Sequence, residues 1–191
     1  VSPAVLRYRE EAGKFKPAKK FTVLLCGPSF SAGTSGAKLR RSLQKELEKN
    51  QFEVIPGEDE GLKDVQINIT GADALTNEVE FCLSQCGAVV IVADSPGAFC
   101  ELGAFTAYFS FGEHRGRFRS SCDFIVLMKK AYEVDKSFLN LGPAAVIRAH
   151  GSVEYVDFGK FDTSKIVERL KTRRAVVMRD DRGRPKEKKK A

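Results

Sequence analysis

The stretch that decides the fold is Ala88 to Phe109, AVVIVADSPGAFCELGAFTAYF. An unbroken apolar run from Ala88 to Ala93 leads into Asp94, and Ser95-Pro96-Gly97-Ala98 then turns the backbone. Phe99, Leu102, Phe105, Thr106 and Phe109 resume at helical spacing. The pattern predicts a buried strand, a tight turn and a helix. Ser95 suits the N-cap, and Pro96 suits the first helical position, where a missing N–H costs nothing. Glu101 falls in the second turn. Helical side chains lean toward the N-terminus, so its carboxylate is expected over Gly97 and Ala98, which have almost no side chain to obstruct it. In a parallel sheet this helix start lies at the carboxyl edge, where open α/β sheets bind their ligands.

The rest of the chain supports that setting. FTVLLC (Phe21 to Cys26) reads as a first strand, followed by a small-residue loop from Gly27 to Gly36 and an amphipathic helix marked by Leu39, Leu43 and Leu47. FEVI (Phe52 to Ile55) reads as a second strand, closed by Pro56-Gly57 before the acidic run Glu58-Asp59-Glu60. Asp64 to Thr70 is compatible with an extended segment or an irregular loop. A helix is expected from about Asp73 to Cys86, burying Val79, Leu83 and Cys82 or Cys86. Beyond the central stretch come a basic loop (Gly112 to Ser121), a buried strand (Asp123 to Met128) and a helix over Ser137 to Ala149 interrupted at Gly142-Pro143. A short alternating strand (Val153 to Phe158) and an amphipathic helix (Phe161 to Arg174) complete the body. Strands alternating with helices predict a Rossmann-like, flavodoxin-like α/β fold, a parallel sheet with helices on both faces. The expected organisation is a leader over 1–20, one α/β domain over 21–174 and a basic tail over 175–191.

A chain of 191 residues with 42% hydrophobic content suits one globular domain with a sizeable core. No apolar run is long enough to span a bilayer, and the first residues lack the apolar core of a signal peptide, so a cytoplasmic protein with no membrane partner is expected. Five cysteines, mostly inside apolar runs, argue for buried thiols rather than a disulfide framework. Cys82 and Cys86 have no CxxC spacing and no nearby histidine, so no metal site is expected. The formal net charge of +7 is weighted toward the ends. In the tail, Arg182-Gly183-Arg184-Pro185-Lys186 has the core of a minor-groove hook, making Arg182, Arg184 and Lys186 candidate nucleic-acid contacts; a solubility tail is the plain alternative.

Two segments carry a family resemblance. LLCGPSFS (Leu24 to Ser31), followed by the leucine helix and FEVIPGEDEG, resembles the start of nucleoside 2-deoxyribosyltransferases, whose first strand ends in a Gly-Pro-x-Phe-type loop. SPGAFCELGAF resembles the same family's glycine-small-x-x-Glu-Leu-Gly segment, and the likeness runs from about Phe21 to Met128. N-glycosidase effectors of bacterial antiphage systems, including some retron effectors, use similar domains; TIR-type NAD-cleaving domains are more distantly similar. The resemblance implies a Rossmann-like sheet, a glutamate nucleophile at Glu101 and an oligomer in which a neighbour helps to complete the pocket.

The chemistry agrees with that implication. Breaking a C1′–N bond builds positive charge on the sugar, which a carboxylate can stabilise or attack. Glu101 is the candidate for that task, against the plain alternative of a solvated glutamate on a polar helix face. Asp94 either orients sugar or base, or merely ends its strand. Gly27, Pro28, Ser29 and Phe30 are candidates to hold sugar, phosphate or base beside the next helix start, with Ser95, Gly97 and Ala98 opposite. Glu58, Asp59 and Glu60 follow the second strand and are weaker candidates for ribose hydroxyls. No cofactor is expected, because NAD enters as the first substrate to consider among nucleotides and nucleosides. Nicotinamide leaves without protonation, whereas a neutral base needs a proton donor. The leading expectation is N-glycosidic cleavage, with the role in antiphage defence that the resemblance implies. The alternatives are a non-catalytic nucleotide-sensing or nucleic-acid-associated module, and a structural subunit.

Overall fold

The computed structural model of the chain describes residues 21–57, 74–110, 122–134 and 136–180. In chain order the elements are β1 (Thr22–Cys26), α1 (Ser35–Lys49), β2 (Glu53–Pro56), α2 (Ala74–Gln85), β3 (Cys86–Ala93) and α3 (Pro96–Ser110). They continue with β4 (Asp123–Lys129), a 3-10 turn (Lys130–Tyr132), α4 (Phe138–Leu141), α5 (Pro143–Arg148), β5 (Ser152–Val156) and α6 (Ser164–Asp180). The five strands form one sheet in the order β2-β1-β3-β4-β5, and every adjacent pair is parallel. This is the flavodoxin-like arrangement that the alternation of strands and helices predicts. The chain moves outward from β1 to β2 and then returns to the other side of β1, so the connections after β1 and β3 diverge. The crevice left there is where such sheets place ligands.

Strand alternation gives the sheet two apolar faces. Leu24 and Cys26 of β1 point with Val89 and Ile91 of β3 into a core closed by Val79 and Cys82 of α2, Leu102 and Phe105 of α3, and Ala144 and Ile147 of α5. Val23 and Leu25 point the other way, with Val90 and Val92, onto Leu39, Leu43 and Leu47 of α1 and Ile166, Val167 and Leu170 of α6. The central strands are buried on both sides, which is why they read as continuous apolar runs rather than alternating ones.

Several boundaries differ from the sequence pattern: β2 and β5 are Glu53–Pro56 and Ser152–Val156 rather than Phe52 to Ile55 and Val153 to Phe158. Cys86 belongs to β3 rather than to the preceding helix, because it pairs across the sheet with Thr22. The last helix begins at Ser164, whose N–H is accepted by the Asp162 carboxylate at 3.0 Å, rather than at Phe161. It also runs past Arg174 to Asp180, with Val177 packing on the sheet's second core. The interruption expected at Gly142-Pro143 is present and separates α4 from α5. The expected leader over 1–20, the extended segment at 64–70, the basic loop over 112–121 and the end of the tail lie outside the described residues.

Candidate active site

Glu101 occupies the second turn of α3, and the cap that puts it there is the expected one. Ser95 Oγ accepts the Ala98 N–H at 3.2 Å, and Pro96 is the first helical residue. Ala98, Leu102 and Phe105 are buried along one stripe of α3, which rotates Glu101 to the edge of that stripe, half-buried at the end of the first core. Gly97 is exposed with nothing near it, so the helix start is open. Ala98 instead packs into the core.

The structure brings two further side chains to Glu101. Cys26 ends β1, and Glu78 lies in the second turn of α2, the helix beside α3. The ligand-type atoms of Cys26, Glu78 and Glu101 all lie within 4.8 Å of one another. The Cys26 thiol donates to Glu78 Oε1 at 3.4 Å. Gly57, just past β2, faces all three. A β-carbon there would stand 3.2 Å from Glu78 Oε1, 3.3 Å from Cys26 Sγ and 3.4 Å from Glu101 Oε1. The cluster therefore sits at the carboxyl ends of β1 and β2, walled by the starts of two helices, and glycine leaves it room.

Burial dominates its electrostatics. Loss of water pushes the Cys26 thiol well above its ordinary range, and the Glu101 and Glu78 carboxylates reinforce that shift. Burial also raises the Glu78 carboxyl above its ordinary value, with the Cys26 hydrogen bond and then the Arg40 charge pulling the other way. A thiol and two carboxylates at this spacing match the donor set of a metal cage, while Arg40 already supplies positive charge nearby. The arrangement is better suited to keeping a proton on Glu78 beside a second carboxylate, as paired acid and base groups require.

Asp94 takes a different part. Its Oδ2 accepts the Gly36 N–H at 3.0 Å, at the start of α1, and its Oδ1 pairs with Lys129 Nζ at the end of β4. The next amide, Ala37 N–H, is accepted by Thr34 Oγ1 at 3.1 Å. The chain's own side chains thus engage the first amides of α1, the position expected to hold a phosphate. Of the loop after β1, Gly27 and Pro28 are buried, Ser29 is exposed and hydrogen-bonded to Ser31, and the Phe30 ring lies under the Arg40 guanidinium at 4.3 Å. A cleft of about 300 Å³ opens at the same edge, lined by Ser35, Lys129, Lys130, Val156, Asp157 and Phe158; none of Cys26, Glu78 and Glu101 borders it. Glu58, Asp59, Glu60, Arg182, Arg184 and Lys186 lie outside the described residues.

Sequence reasoning missed Glu78, Gly57 and Arg40, and took Cys26 only as a buried thiol. A signal for Glu78 was present, since it precedes the inward Val79 in the turn-and-a-half after a helix start, as Glu101 precedes Leu102. Two neighbouring helices therefore present a second-turn glutamate to the same edge. Arg40 carried no comparable mark, because Arg40 and Arg41 look alike until the carbonyls that one of them meets are known.

A family model described as STM3845 retron effector protein matches residues 36–190. The match includes Arg40, Glu78, Asp94 and Glu101, and begins after Cys26 and the loop that follows it. No curated protein matches the chain.

Proposed function

The chain belongs to the STM3845 retron effector protein family, which implies an antiphage defence role, and from that premise we propose that it is an N-glycosidase acting on a nucleotide or nucleoside. The observation that carries this reading is the convergence of Glu101, Glu78 and Cys26 around Gly57 at the carboxyl edge of the sheet. Their ligand atoms lie within 4.8 Å of one another, near enough for one sugar to meet a carboxylate and a proton donor together.

In this mechanism the Glu101 carboxylate attacks C1′ of the sugar and forms a C1′–O bond to it. As the C1′–N bond breaks, its electron pair goes to the base, and a neutral base takes its proton from the Glu78 carboxyl. Water then attacks C1′, gives a proton back to Glu78 and frees Glu101, so free base and free sugar leave. NAD needs less, because nicotinamide is already cationic while attached and departs neutral; Glu78 then keeps its proton, and the proton of the attacking water passes to solvent. The likeness to deoxyribosyltransferases agrees with this division of labour, and base exchange differs from it only in what attacks C1′ last. Ser29, Phe30, Ser95 and Gly97 would flank the bound molecule. Val134, Phe138 and Leu141 are largely exposed beyond β4, an apolar surface that suits assembly with a second copy.

The test is a mass-spectrometric survey of nucleotides and nucleosides, NAD included, incubated with the protein and with Glu101→Gln. Release of a free base by the parent and not by the variant is expected and identifies the substrate. A metabolite retained unchanged and equally by both proteins would overturn the glycosidase in favour of a sensing module.

A further inference from the structure

Arg40 is the largest fully buried side chain among the described residues, and it is a cation. A buried charge persists only where hydrogen bonds and counter-charge replace water. Its Nε and one terminal nitrogen donate to Leu25 O at 3.2 and 2.8 Å, and the other terminal nitrogen donates to Gly27 O at 3.1 Å and Pro28 O at 2.9 Å. The planar guanidinium also stacks on Phe30. The residue therefore grips carbonyls on both sides of Cys26 and covers the loop that follows it. Gly27 completes the fit, with φ +151°, and a β-carbon there would press within 3.1 Å of Arg40 Cδ and of Val92.

We infer that Arg40 is a positioning residue of the candidate site, which ties the 27–30 loop to the end of β1 through three carbonyls and places a permanent positive charge behind Cys26 and Glu78. Leu25 and Cys26 point to opposite faces of β1, so Arg40 reaches the cluster from beneath the sheet without occupying the space around Gly57. The groups that bear on Glu78 are Cys26 from β1, Glu101 from α3 and Arg40 from α1. The Arg40 charge pulls against the burial that raises the Glu78 carboxyl, and is the smallest of the influences on it. Lysine would preserve the charge but not the planar fork that meets three carbonyls. The two contributions can therefore be separated.

The experiment compares the full chain with Arg40→Lys and Arg40→Gln, using hydrogen exchange over 27–32 and a carboxyl-carbon NMR titration of Glu78 assigned with Glu78→Gln. Arg40→Lys is expected to speed loop exchange by about tenfold or more while leaving the Glu78 midpoint near that of the parent. Arg40→Gln is expected to loosen the loop and also to move that midpoint upward. Parent-like exchange in Arg40→Lys overturns the loop role, and an unmoved Glu78 midpoint in Arg40→Gln overturns the charge role. If Arg40→Gln does not fold, Arg40→Lys alone decides: fast exchange supports the inference and parent-like exchange overturns it. Only the kinetic consequence, a rise in KM for Arg40→Lys with kcat less affected, rests on the proposed glycosidase. A parent that releases no base would sink that chemistry while leaving both spectroscopic readouts to judge Arg40.

Discussion

Asp94 and Glu101 leave the same strand within one turn and helix start, yet they end in opposite circumstances. Asp94 turns toward the α1 face, where a backbone amide and Lys129 engage its two oxygens. Glu101 turns toward the α2 face, where it meets a second carboxyl group and a protonated thiol. Opposite charge and hydrogen bonds make the first an anchor between β3, α1 and β4. Crowding of like groups with little water makes the second one member of a cluster in which burial favours the protonated form of its Glu78 neighbour. Proximity in sequence made both look like site residues; their partners tell them apart.

The comparison breaks most easily at Glu101. Glu101→Gln keeps the shape and removes the negative charge that C1′ needs, so base release is expected to fall by at least about 10³-fold, measured as single-turnover product formation. A loss of only a few-fold would make Glu101 a bystander. Glu78→Gln discriminates between leaving groups. Release of a neutral base should fall by roughly 10²-fold or more, whereas release of nicotinamide should fall much less. In the parent, turnover of a neutral base should decline as pH rises through the elevated Glu78 pKa, because only the protonated form donates. Stability follows the same sign. The folded protein holds the Glu78 proton more tightly than the unfolded chain, so this contribution is full below the unfolded pKa and is lost as pH rises through the folded one. Denaturant titrations of Glu78→Gln should lack that decline, and an unaltered pH dependence would place Glu78 in an ordinary solvated state.

How much of this was legible depended on whether the information was local. Ser95, Pro96 and the spacing of Leu102 and Phe105 are read within one turn of each other, and they fixed the helix and the place of Glu101 on it. The unbroken apolar run of β3 likewise implied a strand covered on both faces. The partners of those residues are not local. Gly36 lies 58 residues before the Asp94 that accepts its N–H, and Cys26 lies 52 residues before the Glu78 that accepts its thiol proton. No periodicity encodes such meetings, because they follow from strand order and from the relative rotation of two helices. Arg40 was illegible for the related reason that its partners are backbone carbonyls, which every residue offers.

Gly57→Ala tests the space itself. The added methyl would crowd three polar atoms at 3.2 to 3.4 Å, a distance that requires neighbours to give by a few tenths of an ångström. A loss of about tenfold in kcat/KM is expected, with a stability cost of about 1 kcal/mol, since a small overpacking is partly absorbed by side-chain movement. If kcat/KM is unchanged, the reacting sugar does not approach from the β2 side and the cluster must be entered elsewhere.

Asp94→Ala should give the smallest effect on chemistry and a clear one on folding. It removes the acceptor of the Gly36 amide and leaves Lys129 without this partner, but Lys129 is 43% exposed and can return to water, so the expected cost is about 2 kcal/mol rather than that of a fully buried ion pair. Denaturant unfolding would read this as a lower midpoint at unchanged slope. Corrected for the fraction folded, kcat/KM should fall less than in Gly57→Ala, because Asp94 acts on the site only through the position of α1. The opposite pattern, intact stability with turnover lost as completely as in Glu101→Gln, would mean that a bound substrate draws Asp94 away from Gly36 and Lys129. The two carboxylates would then serve one site from both faces of the sheet, and the distinction between anchor and reactive group would hold only for the unliganded protein.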